Sequence, residues 1–137
     1  MPSSDNQTLH IACYNGFDGL TIRIDTASHA ALAIIQQVFR DLAEGKITEI
    51  EFLNLEGVTS ENIQSLKLQL VEKDPSYKAI QKMNDGSEFY WSRSKDGWED
   101  CVWLMDGLSS DSASGHQYFD QTLGDDAVVV IAHGESG

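Results

Sequence analysis

Residues 9–45 have the sequence LHIACYNGFDGLTIRIDTASHAALAIIQQVFRDLAEG and indicate the fold class most clearly. Larger apolar residues alternate with polar or small ones over residues 9–14 and again over 20–25, which is the pattern of half-buried strands. Asn15 and Gly16 lie between the two runs, and both residue types accept the positive φ angles of tight turns. The two runs are therefore predicted to form a β-hairpin.

A helix is predicted directly after the hairpin. Either Thr26 or Ser28 can cap its N-terminus, the helix runs to about Glu44, and Gly45 ends it. Apolar residues recur at the i, i+3, i+4 and i+7 spacing of one buried helical face: Ile35, Val38, Phe39 and Leu42.

The rest of the chain contains further strand patterns. Apolar runs predict strands at residues 47–53, 66–71, 89–93, 116–119 and 127–131. In the first of these, Glu49 and Glu51 lie on the polar face. The last run is short and apolar throughout, which is typical of a strand buried on both faces in the middle of a sheet. Residues 74–87 are ambiguous, since 77–83 could form a short helix.

A second long helix is predicted to begin at Asp96. Asp96 followed by Glu99 fits a capping box, in which each side chain satisfies a backbone N–H that has no partner inside the helix. The apolar residues again have the spacing of one buried face: Trp98, Cys101, Val102 and Met105.

Together these elements predict the α+β class, with a mostly antiparallel sheet and two main helices packed on it. No repeat or linker divides the chain, so residues 1–137 are expected to form a single domain. Cys13 and Cys101 lie within apolar patterns and are expected to be buried thiols. The core is expected to include Ile35, Phe39, Trp98, Val102 and Val129.

The charge is strongly acidic and unevenly distributed. The formal net charge is −13, and residues 94–137 contain nine acidic side chains and one basic side chain, a net of −8. Such a charge opposes binding to nucleic acid and to anionic membranes, and it favours fast association with a basic protein. Solubility alone is the other explanation of an acidic chain. Residues 1–8 lack the basic and apolar regions of a secretory signal, so a cytoplasmic location is expected.

No catalytic, cofactor-binding or phosphate-binding motif is present in the sequence, so we expect no cofactor and no metal requirement. No two of the four histidines have the spacing of a ligand pair on a helix. A site of nitrogen and oxygen ligands is conceivable only if four residues at the C-terminal end converge: His116, Asp120, His133 and Glu135.

The C-terminal third resembles small bacterial immunity proteins of polymorphic toxin and contact-dependent inhibition systems. The resemblance rests on the segments Trp98-Glu99, Trp103-Leu104-Met105, Gly115-His116-Gln117-Tyr118-Phe119, Asp126-Ala127-Val128-Val129-Val130 and Gly134-Glu135. It implies a cytoplasmic, acidic protein that binds and neutralises a cognate toxin domain. Toxin-contacting residues do not transfer by position within these diverse proteins.

Two functions follow as hypotheses. The first is an inhibitor of a basic toxin domain, most simply a nuclease, because a nuclease has a polyanionic substrate. Carboxylates around the second helix would meet toxin Lys and Arg side chains, and Trp103 would anchor the interface. The alternative is a small enzyme or ligand-binding domain that uses the His116 and His133 region. The residues predicted to contact the partner are Asp96, Glu99, Asp100, Trp103, Asp106, Asp125 and Asp126.

Overall fold

Nine strands and two helices lie within the residues that the computed structural model describes, which are 9–16, 19–26, 28–55, 57–73, 80–83, 87–110, 115–120 and 128–133. In chain order the elements are β1 (Leu9–Gly16), β2 (Gly19–Thr26), α1 (His29–Ala43), β3 (Glu49–Glu51), β4 (Val58–Glu61), β5 (Ser65–Leu70), β6 (Ile80–Met83), β7 (Glu88–Arg93), α2 (Lys95–Ser110), β8 (Gly115–Asp120) and β9 (Val128–His133).

The strands form two mixed sheets. A five-stranded sheet has the order β4-β1-β2-β9-β8, and a four-stranded sheet has the order β3-β5-β7-β6. The predicted α+β class is confirmed, but the expectation of a mostly antiparallel sheet is wrong. Three of the seven described ladders are parallel, namely β1–β4, β2–β9 and β5–β7. A tight turn can join only antiparallel strands. Turn signals in the sequence therefore could not reveal the three parallel pairs.

The predicted pairing of the hairpin is confirmed, with Leu9 opposite Thr26 and Cys13 opposite Ile22. The turn was predicted too early, because Asn15 and Gly16 still pair with Leu20 and Gly19 inside the strands; residues 17 and 18 lie outside the described residues. The last strand is also confirmed as a central one, because β9 lies between β2 and β8. Its central residues, from Val129 to Ala132, are buried, as expected for a strand covered on both faces.

Two predicted segments are corrected. The strand predicted over 47–53 is limited to β3, and Phe52–Asn54 form a single 3₁₀ turn. The short helix considered for 77–83 is wrong where the chain is described, because Ile80–Met83 pair with β7 as an antiparallel strand. Residues 74–79 and 84–86 lie outside the described residues.

The helix ends are fixed by side-chain caps. Of the two candidates for α1, Ser28 is the cap: its hydroxyl oxygen accepts the Ala31 N–H at 3.1 Å. Thr26 instead donates to the carbonyl of Ala132, which ties β2 to β9. Gly45 ends α1 with φ +76°, a left-handed conformation that costs glycine no Cβ clash.

The start of α2 differs from the prediction. Its cap is Ser94 rather than Asp96, because the Ser94 hydroxyl oxygen accepts the Gly97 N–H at 3.2 Å. The Ser94 carbonyl accepts the N–H of Trp98, so the first helical turn is already closed at this point. Asp96 therefore lies inside the first turn, where its charge still suits the positive end of the helix dipole.

An aromatic cluster joins the two sheets through the helices. The ring centroid of Phe39 on α1 is 5.6 Å from that of Trp91 on β7 and also 5.6 Å from that of Trp98 on α2. Phe119 on β8 is 5.8 Å from Phe39. The Trp98 indole also donates to the carbonyl of Gln69 on β5 at 2.9 Å. The described core is thus one cluster that takes side chains from both sheets and both helices.

The predicted core is confirmed except at one position, since Val102 is only half-buried whereas Ile35, Phe39, Trp98 and Val129 are buried. Cys13 and Cys101 are buried free thiols, as expected. Burial raises the pKa of the Cys13 thiol, although the charge of Lys82 opposes this shift. The neutral thiol of Cys13 is therefore favoured, and it packs as a small apolar side chain.

Neither helix in the described part of the chain is long and apolar enough to cross a membrane.

Candidate functional site

The outer face of α2 carries five of the seven side chains predicted to contact a partner. The inner face is buried through Trp98, Cys101 and Met105. The five recur every three or four positions on the exposed side and form what we call the α2 stripe: Asp96, Glu99, Asp100, Trp103 and Asp106. The remaining two, Asp125 and Asp126, lie outside the described residues.

Trp103 is the most exposed large apolar side chain of the described residues. It is 66% exposed, whereas Trp91 and Trp98 are both fully buried. Gly107 lies one helical turn further along the same face, and a Cβ built on it would meet open space. The surface next to the indole is therefore open, and a partner could cover the indole without rearranging the helix.

Three carboxylates of the α2 stripe have no partner inside the described part of the protein. Asp96, Glu99 and Asp100 form no ion pair or hydrogen bond there with another described side chain. Lys95 is the only basic residue of α2. Its side chain extends toward Gly45: a Cβ atom placed on that glycine would lie 3.4 Å from Lys95 Cε. The negative charge of the stripe is thus left for solvent or a partner to balance.

Asp106 has a different environment from the other carboxylates. The Gln36 amide of α1 donates to Asp106 Oδ1 at 2.6 Å and also to the Val102 carbonyl at 3.1 Å. Asp106 lies toward the C-terminus of α2, where the helix dipole disfavours a negative charge. The two hydrogen bonds from Gln36 link α1 to α2 and orient this carboxylate.

A groove of about 270 Å³ separates the exposed edges of the two helices. It is lined by Arg40, Ala43 and Glu44 of α1 and by Glu99, Val102, Trp103 and Asp106 of α2. We call this the α1–α2 groove. Its volume is below the range usual for small-molecule sites, roughly 300–1,000 Å³.

The contribution of α1 to this surface was not predicted. Gln36, Arg40 and Glu44 recur at i, i+4 and i+8, so the sequence does place them on one polar face of α1. Nothing in that spacing indicates which element lies beside them. The helix pairing that brings them next to α2 is a tertiary contact, so the local pattern could not supply it.

A second cavity, of about 410 Å³, lies where β5 ends and α2 begins. Four of its described lining side chains have groups that catalysis could use, and the Ser94 hydroxyl already caps α2: Glu72, Ser94, Lys95 and Asp96. No histidine or cysteine is among its described lining residues, which are Leu70, Val71, Glu72, Ser94, Lys95 and Asp96. The cavity adjoins the α2 stripe at Asp96.

For the alternative site around His116 and His133, the structure gives the pairing of the two strands that carry these residues. Gly115 pairs with His133, and His116 pairs with Ala132. The two histidines therefore occupy successive rungs of the β8–β9 ladder. Asp120 lies opposite Val129 after a bulge, and Glu135 is outside the described residues.

Within the described part of the chain, no group of three His, Cys, Asp or Glu side chains is placed to hold a metal ion. The expected independence from metals and cofactors stays a prediction.

Comparison with known proteins found no relative of this chain. No family model matches the chain, and no curated protein or solved structure matches it. The resemblance to immunity proteins therefore stays a prediction, and functional inference rests on the side chains of the α2 stripe and the α1–α2 groove.

Proposed function

We propose that this protein is a cytoplasmic inhibitor of the immunity type, which binds a basic toxin domain through the α2 stripe and thereby neutralises it. The observation that carries the proposal is one helix face that combines a 66% exposed tryptophan with three carboxylates lacking a described intramolecular partner. A basic surface would supply the missing counter-charges, and burial of Trp103 would supply the apolar anchor.

A merely solvated helix face is the simplest competing explanation. Asp96 and Glu99 lie in the first turns of α2, where negative charges stabilise a helix even without a partner. That account does not explain Trp103, because a largely exposed indole contributes little to folding, whereas its burial against another protein is favourable. Tryptophan is also among the residues most enriched at the energetic centres of protein interfaces.

A nuclease domain is the partner that the charge favours most. Enzymes that act on nucleic acid present Lys and Arg to the phosphate backbone. An acidic helix face can occupy the same basic surface and exclude the substrate. The proposal thus combines the net charge of −13 with the position of the α2 stripe.

The proposal predicts that a gene adjacent to the one for this protein encodes its target, which we call the toxin-like protein. The first test is the salt dependence of binding to that gene product. Charge steering should make association fast at low salt and progressively slower as ionic strength rises, because the Debye length falls to about 8 Å at physiological salt. The dissociation rate should change much less than the association rate. Stopped-flow or surface-based kinetics across a salt series would measure both. An association rate that does not respond to salt, or no binding by the unmodified protein, would contradict the proposal.

A further inference from the structure

The α1–α2 groove has the shape and chemistry to hold one side chain of a partner. We infer that it receives an arginine of the basic partner, with the guanidinium against the Trp103 indole and the Glu99 and Asp106 carboxylates. This inference rests on the proposed function and specifies which partner side chain is recognised, and where.

The groove offers separate surfaces for the two ends of an arginine side chain. Ala43 and Val102 are half-buried and apolar, and they can pack against the methylene stem. Trp103 stands exposed at the groove, within reach of the charged end. The volume of about 270 Å³ is small for a cofactor site and suits the insertion of a single side chain.

The charge of the groove favours a cation. Its lining includes Glu44, Glu99 and Asp106 against the single cation Arg40. Glu44 already pairs with Lys46 at 3.1 Å, and Asp106 accepts from Gln36. Glu99 has no such partner among the described residues, so it is the carboxylate that an incoming cation would neutralise.

Arginine fits this arrangement better than lysine. A guanidinium is planar, has five donors in a fixed fork and can stack on an indole while donating to more than one carboxylate. A lysine ammonium is a compact and strongly hydrated charge that gains less from the indole face. The groove should therefore discriminate between two cations of equal charge.

Arg40 provides an internal check on the inference. It lines the groove but forms no ion pair or ring contact with a described residue. Its positive charge would repel an incoming arginine, so Arg40→Gln should strengthen binding. The same change removes a favourable charge from the last turn of α1 and should slightly lower stability. Binding and stability are thus expected to move in opposite directions.

The test compares two fluorescent hexapeptides, six arginines and six lysines, by anisotropy titration at about 10 mM ionic strength, where the Debye length is about 30 Å. The arginine peptide should bind about threefold more tightly than the lysine peptide. Trp103→Ala should abolish this preference, and Arg40→Gln should raise the affinity for the arginine peptide. Tyr14→Ala is the matched control, because Tyr14 is the other exposed large aromatic of the described residues and lies on β1, at 41% exposure.

Equal affinities for the two peptides, or a preference that persists in Trp103→Ala, would overturn the inference. So would a loss of preference in Tyr14→Ala equal to that in Trp103→Ala, or the failure of both peptides to bind. The proposed function is decided separately, by the rate measurements with the toxin-like protein. A partner that binds through the α2 stripe without arginine selectivity would leave that function standing.

Discussion

Replacing Phe39 with alanine is expected to lower the free energy of unfolding by about 3–5 kcal/mol, through lost burial and the cavity left behind. Phe39 is fully buried, and its ring contacts Trp91, Trp98 and Phe119. Those three side chains come from β7, α2 and β8, so the cavity would open at the junction of both sheets with the helices. Urea denaturation followed by circular dichroism would measure the midpoint and the slope of the transition.

Trp103→Ala is the control for this effect, since it removes an even larger aromatic side chain from an exposed position. It should change stability by no more than about 0.5 kcal/mol, as is usual for surface substitutions. If Phe39→Ala unfolds at the wild-type denaturant concentration, the aromatic cluster is not the centre of the core. Two separate transitions in the unmodified protein would instead mean that the two sheets unfold independently.

Reversing two charges of the α2 stripe is expected to have the largest effect on binding. In the double variant Glu99→Lys/Asp100→Lys, two carboxylates that have no described partner become cations facing a basic surface. The affinity for the toxin-like protein should fall by about tenfold or more, and the association rate at low salt should fall with it. Both carboxylates are exposed, so the fold should be retained, and an unchanged unfolding midpoint would verify this.

The matched control is Glu49→Lys/Glu61→Lys, on β3 and β4. Each double variant changes the net charge from −13 to −9. The control also breaks two exposed side-chain contacts, the Gln69 amide donating to Glu49 at 3.0 Å and the His10–Glu61 pair at 3.4 Å, so its unfolding midpoint is measured as well. Glu51 is unsuitable because its carboxylate accepts the Leu66 N–H at 2.8 Å and the Ser65 hydroxyl, so its reversal would disturb the fold. Equal losses of affinity in the two variants would mean that total charge governs binding and that the α2 stripe is not the site.

Strong local periodicity explains why much of the fold could be predicted. The alternation around Ile11 and Ile24 and the apolar stripe of α1 report directly which side chains are buried. β4 was not predicted, because it lacks such a pattern: Val58 is half-buried, and the residues from Thr59 to Glu61 are all exposed. An exposed edge strand held by backbone pairing to β1 has no apolar pattern to reveal it.

Only the part of the site that lies on α2 was predicted from the sequence. The spacing from Asp96 to Asp106 places the acidic residues and Trp103 on one face of α2 whatever lies beside it. Arg40 and Glu44 join the surface only because α1 packs next to α2, with Gln36 bonded across the contact. Periodicity within a segment carries no information about its neighbours in space, so the α1–α2 groove required the structure.

Oxidative footprinting of the protein alone and in complex with the toxin-like domain tests the central claim most directly. Trp103 and Tyr14 are the two exposed large aromatic side chains of the described residues, and they lie on different elements, α2 and β1. Both should be labelled in the free protein. Binding through the α2 stripe predicts that labelling of Trp103 falls sharply in the complex while that of Tyr14 is unchanged. Protection of Tyr14 with undiminished labelling of Trp103 would contradict the account.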